Sequence, residues 1–177
     1  MSKNKHIIIE NVTVIDAGAK GKSIAKAPDG RVIFISNAIP GDVVDVQTTK
    51  KKSAYYEGFV TKYHQLSEQR VTPVCSHFGY CGGCKWQDMN YQSQLFYKQK
   101  EVENNLVRLG RIEIPAVMPI IGSDETYYYR NKMEFSFSDM RWLTPDEIKK
   151  ADEIDNRNAL GFHIAGAWDK ILDIDKC

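Results

Sequence analysis

The sequence has no long apolar run; its uncharged stretches, such as Ile7-Ile8-Ile9 and Val32-Ile33-Phe34-Ile35, are only a few residues long. A membrane-spanning helix needs about 20 apolar residues, so none is expected. The start, MSKNKHIIIENV, carries positive charge but lacks the apolar stretch of a secretory signal, which makes a cytoplasmic address the default expectation. There is no G-x-G pair among the 12 glycines and no βαβ repeat, so no dinucleotide- or cofactor-binding parallel sheet is predicted. No internal repeat or low-complexity tract is present. Neither charge dominates: 24 Lys/Arg stand against 23 Asp/Glu, a net charge of +1, which argues against a uniformly basic nucleic-acid binder. Cysteine is scarce, with 4 residues in all.

What is present is a chain of 177 residues, 42% apolar and 27% charged, the composition of one medium or two small domains with a real core. The charge is unevenly spread. Residues 1–66 carry ten Lys/Arg and six Asp/Glu, and residues 67–177 carry fourteen and seventeen. A basic first module is a pointer to a polyanionic partner.

The first 66 residues read as β throughout. Strands are predicted at about 6–16, 22–27, 31–39, 42–50 and 54–64. Pro28-Asp29-Gly30 and Pro40-Gly41 supply turns between apolar runs. Five short strands with tight turns suggest a small closed barrel of the oligonucleotide-binding kind. Residues 67–90 read as a loop carrying three cysteines. A helix is predicted from Tyr91 to Leu109, with Tyr91, Leu95, Val102, Leu106 and Leu109 as its core-facing stripe and Gly110 as its stop. Tyr127–Ser138 alternates with period two, which predicts a strand whose odd positions face inward and whose even positions, Arg130 and Lys132 among them, face out. The charged stretch 139–158 holds Thr144-Pro145-Asp146-Glu147, a helix start with cap, first-turn proline and capping-box acid in order. Strands at about 159–164 and 167–175 complete a small antiparallel sheet. The fold class expected is therefore β-rich α+β. An OB-like barrel (1–66) and a cysteine loop (67–90) precede an α+β region (91–177) with the helical stretch 139–158 inside it.

The cysteines are Cys75, Cys81, Cys84 and Cys177, the first three spaced C-x5-C-x2-C with Gly82-Gly83 between the second and third. In a reducing cytosol, clustered cysteines more often bind metal than form disulfides. Two glycines remove side chains that would crowd a metal centre. Closing a loop of about ninety residues to reach Cys177 is tolerable, because loop entropy grows only logarithmically. Spacing alone fits a structural zinc and a [4Fe–4S] cluster equally. His77 as a metal ligand alongside three of the cysteines is the less favoured alternative, and Trp86 is expected to cover the metal centre.

The segment PVCSHFGYCGGCKWQ, residues 73–87, closely resembles the iron–sulfur loop of bacterial RNA (uracil-5-)-methyltransferases, the family that makes 5-methyluridine in 23S ribosomal RNA. Residues 1–66 resemble that family's TRAM domain, a five-stranded RNA-binding barrel, including Pro40-Gly41-Asp42 before the fourth strand. Tyr129-Arg130-Asn131-Lys132 resembles its central domain, and Leu160-Gly161-Phe162-His163 with Ile171-Leu172-Asp173-Ile174 resembles the run to its fourth cluster cysteine. The resemblance implies a [4Fe–4S] cluster held by Cys75, Cys81, Cys84 and Cys177. It also implies ribosomal RNA, in single-stranded or loop regions, as partner, and a monomer. The chain departs from the family in its long 139–158 stretch and in stopping where the catalytic domain is expected. S-adenosylmethionine therefore enters only through that domain. The cluster would consume every thiol, so no catalytic or cofactor-binding residue is assigned, and the chain alone is expected to be inactive. Lys50, Lys51, Lys52 and Tyr55 at the tip between strands four and five, and Arg130 with Lys132, are the candidate RNA contacts. The alternatives are a free-standing RNA-binding module with a structural four-cysteine metal site and, less favoured, a TRAM-bearing radical enzyme or a small ferredoxin-like carrier.

Overall fold

A computed structural model describes residues 6–150 and 154–177. It divides into two units, residues 1–72 with 88–122 and residues 73–87 with 123–177.

The first unit is a closed barrel of β1 (Ile8–Ala17), β2 (Ser23–Lys26), β3 (Val32–Ser36), β4 (Val43–Lys51) and β5 (Tyr55–Gln65), in the order β1-β2-β3-β5-β4. Only the β3–β5 pair is parallel. The predicted strands are all present, because each alternates apolar and polar residues against the same core. In β3, Ile33 and Ile35 are buried; in β4, Val44 and Val46 are. Closing five strands needs bends, and bulges in β1 supply them between Ile9 and Val12 and between Val14 and Asp16. Gly41 turns the chain into β4 at φ +95, and a Cβ there would meet Ser67 Oγ at 2.6 Å.

Helix α1 (Tyr91–Asn104) belongs to this unit. Asn90 caps it, its side chain accepting from Ser93 N at 2.9 Å. The helix passes into a π-helical turn over Asn105–Leu109 and stops at Gly110. The predicted core stripe is corrected here. Among the described residues of α1 only Tyr97 is buried, while Val102 is 53% and Leu109 78% exposed. Helical spacing identifies an apolar face but not what covers it.

The second unit holds a three-stranded antiparallel sheet, β6 (Ser136–Ser138), β7 (Ala159–His163) and β8 (Ile171–Asp173), in that order. The strand predicted over 127–138 survives only as β6. Tyr128 sits in the left-handed region at φ 58, which interrupts the alternation. The odd set does not point inward: Tyr129 is 73% and Phe137 83% exposed. Helix α2 is one turn, Pro145–Ile148, with the expected capping box: Thr144 Oγ1 accepts from Glu147 N and Glu147 Oε2 from Thr144 N. The predicted helical stretch continues into 151–153, which lie outside the described residues.

Candidate metal centre and nucleic-acid interface

The cysteine loop is a series of turns. Phe78 N–H donates to Cys75 O at 3.2 Å, and the His77 carbonyl accepts from Tyr80 N at 3.3 Å and Cys81 N at 3.0 Å. Gln87 braces the loop at both ends. Its Oε1 accepts from Cys75 N at 2.7 Å and its Nε2 lies 3.7 Å from Cys84 Sγ. The loop is then pinned to the segment leaving β7, where Gly82 N donates to His163 O and Ala165 N to Tyr80 O, at 3.0 and 3.1 Å. Gly161 lets β8 approach: a Cβ on it would fall 1.9 Å from Leu172 O. The β7–β8 hairpin thus runs tightly back, and its tail ends at Cys177.

All four cysteines line one cavity of about 570 Å³, together with His77, Lys85, Arg130, His163, Trp168 and Lys176. Burial pushes the Cys81 and Cys84 thiols above their ordinary values, and the charges of Cys177 and Cys75 push both further. Opposing this, the Gly83 N–H, 3.4 Å from Cys81 Sγ, and Lys85 favour the Cys81 thiolate, as Gln87 does for Cys84. Four cysteines on one cavity, with N–H donors aimed at two of them, are a donor set suited to a metal centre. Among the described residues, no group of three or more His, Cys, Asp or Glu side chains is arranged to hold a metal ion.

Arg130 is exposed, as expected, and also lines this cavity. Lys132 is exposed and ion-paired with Glu134. Trp86, expected as the cover, is not part of the cavity wall; Trp168 is. On the barrel, Lys50, Lys51 and Lys52 are exposed at the β4–β5 tip, which Lys52 N closes by donating to Tyr55 O at 2.9 Å. Lys50 also reaches Glu57 at 3.1 Å. Tyr55 is half-buried, edge-on to Phe34 at 5.5 Å, and Tyr56 is core, its hydroxyl donating to Asp29 at 2.9 Å.

The sequence offered no sign of the strongest polar cluster in the first unit. Asp42 is fully buried; its Oδ1 accepts from Ser67 N and Arg70 Nε, both at 2.9 Å, and its Oδ2 from Ile39 N at 2.8 Å and Arg70 Nη2 at 2.6 Å. Arg70 Nη1 continues to Asp88 at 2.6 Å. Burial alone would lower the Arg70 guanidinium, but Asp42 and Asp88 outweigh it and hold it above its ordinary range. This cluster ties the segments leading into and out of the cysteine loop to the barrel.

Residues 8–61 match the TRAM domain family model. An RNA methyltransferase of Bacteroides thetaiotaomicron, itself uncharacterized, is 54% identical over 159 residues, or 90% of this chain and 35% of that protein. The 23S rRNA (uracil(1939)-C(5))-methyltransferase RlmD of an Acidovorax species is 37% identical over 86% of this chain and 29% of its own length. Over most of its length the chain is similar in sequence to these RNA methyltransferases. It spans about a third of their length. In fold it is similar to the solved tRNA (uracil-54, C5)-methyltransferase of Pyrococcus abyssi, a structure in complex with S-adenosyl-L-homocysteine, at a TM-score of 0.50 and 23% identity over 94% of this chain and 32% of that one. Among the described residues no helix is long and apolar enough to cross a membrane.

Proposed function

We propose that this chain is the RNA-recognition and cluster-binding part of an S-adenosylmethionine-dependent 23S rRNA (uracil-C5)-methyltransferase, acting as a monomer in the cytoplasm. The observation that carries the reading is the shared cavity: three loop thiols and a fourth 93 residues beyond Cys84 in sequence line the same space. Cys75, Cys81, Cys84 and Cys177 are the ligands of a [4Fe–4S] cluster. The likeness of residues 73–87 to the iron–sulfur loop of the uracil-5-methyltransferases is what favours a cluster over a single zinc. When bound, the cluster supplies iron–thiolate bonds that cross-link the loop to the tail of the β7–β8 hairpin, so binding becomes folding free energy for the second unit.

The exposed lysines at the β4–β5 tip neutralise phosphates, and half-buried Tyr55 beside them stacks on a base. Lys132 and Arg130 contribute further exposed cations. Uracil C5 is a poor nucleophile until a thiolate adds at C6, which is why this reaction needs covalent catalysis. With all four thiols committed to the cluster, that nucleophile and the cofactor site belong to the part of the relatives' length that this chain does not span. The test gives the full-length protein labelled S-adenosylmethionine and unmodified 23S rRNA. Label at uracil C5 is expected; label on another base, or none, overturns the proposal.

A further inference from the structure

We infer that His77 is a positioning residue that holds the tail so that Cys177 reaches the cluster, an inference that rests on the cluster reading above. The β-ladder carries the tail only so far. Ile174 N–H donates to Leu160 O at 3.2 Å, continuing the hairpin one residue past β8. The next residue, Asp175, donates its N–H to His77 Nε2 at 3.4 Å, and Cys177 follows two residues later. His77 is a firm anchor. Its carbonyl closes the turn that sets Cys81 relative to Cys75, and its side chain is only 15% exposed in the cavity wall. One residue therefore fixes the loop through its backbone and the tail through its ring. The bonds from Gly82 and Tyr80 to the segment after β7 fix the loop but do not touch the last residues. The Asp175 carboxylate adds little, since it is 91% exposed with its oxygen 4.0 Å from the ring.

The bond also constrains the imidazole. A nitrogen that accepts an N–H has its lone pair committed and is not free for a metal through that atom. Held in this way, the His77 ring is turned toward the tail through Nε2.

The experiment reconstitutes the chain anaerobically with ferrous iron and sulfide, and compares the parent with His77→Ala, His77→Gln, Asp175→Pro and Cys177→Ser. Iron and acid-labile sulfide content, absorbance near 400 nm, electron paramagnetic resonance and release of iron to a chelator are read. Gln places an amide oxygen near the Nε2 position and can accept the same bond; Pro removes the donor without touching the loop. His77→Ala and Asp175→Pro are expected to behave like Cys177→Ser, yielding a three-iron cluster on mild oxidation. His77→Ala should also release iron about tenfold faster than the parent, a factor that corresponds to ~1.4 kcal/mol. His77→Gln should stay within about twofold of the parent, the factor left when one acceptor replaces another of similar strength. A merely structural defect would lose the whole cluster rather than one iron, and that result overturns the inference. So does parent-like behaviour of both His77→Ala and Asp175→Pro. A parent chain that takes up no cluster overturns the cluster reading itself.

Discussion

Replacing Asp42 by Asn should unfold the barrel far more readily than its single lost charge suggests. Each carboxylate oxygen of Asp42 accepts from two donors, Ser67 N and Arg70 Nε on one side, Ile39 N and Arg70 Nη2 on the other. However the Asn amide is turned, its NH2 meets two N–H groups, and Arg70 keeps only Asp88 as counter-charge. Removing one partner of a buried ion pair costs about 3–5 kcal/mol. Set against a whole-domain stability of roughly 5–15 kcal/mol, that is a large share. With a urea slope of about 2 kcal/mol per molar, the unfolding midpoint should fall by about 2 M. The assay is urea unfolding followed by circular dichroism. All three tryptophans, Trp86, Trp142 and Trp168, lie in the second unit, so their fluorescence gives a separate reading of that unit. The exposed Lys50–Glu57 pair is the control, since Lys50→Gln should shift the midpoint by less than about 0.5 M. If Asp42→Asn moves it no further than Lys50→Gln does, the buried carboxylate is not what secures the turn into β4.

Lys50, Lys51 and Lys52 changed together to Gln should weaken binding of a single-stranded rRNA loop in a fluorescence titration. The slope of log affinity against log salt should become shallower by about 2, or ~0.7 per phosphate contact; an unchanged slope would remove the β4–β5 tip from the interface. Gly161→Ala places a Cβ 1.9 Å from Leu172 O and should force β8 away from β7. We expect it to abolish cluster loading while leaving the barrel's unfolding midpoint in place, and normal iron uptake would show that the hairpin does not deliver Cys177.

The barrel was legible in the sequence because its information is local. Alternation in residues 32–36 and 43–51, with glycine turns at Gly30 and Gly41, specifies strand, face and corner together. The three loop cysteines were equally plain. What failed was every inference in which a local period had to stand for a distant partner. The stripe on α1 has the right spacing yet is largely exposed, and the alternation of 127–138 is broken by one left-handed residue, Tyr128. That break also hid Arg130, whose place in the cavity no periodicity could predict. The Asp42–Arg70–Asp88 cluster was invisible for the same reason, since a lone arginine in a polar segment carries no signal of the carboxylates it will meet. The His77–Asp175 bond likewise joins residues far apart in sequence.

Whether Cys75, Cys81, Cys84 and Cys177 hold one iron–sulfur core is tested most directly by metal and sulfide analysis of the chain purified without oxygen. The account predicts iron and acid-labile sulfide in equal amounts, about four of each per chain, with an absorbance near 400 nm that Cys81→Ala abolishes. Stoichiometric zinc without sulfide, or iron retained in Cys81→Ala, would contradict it.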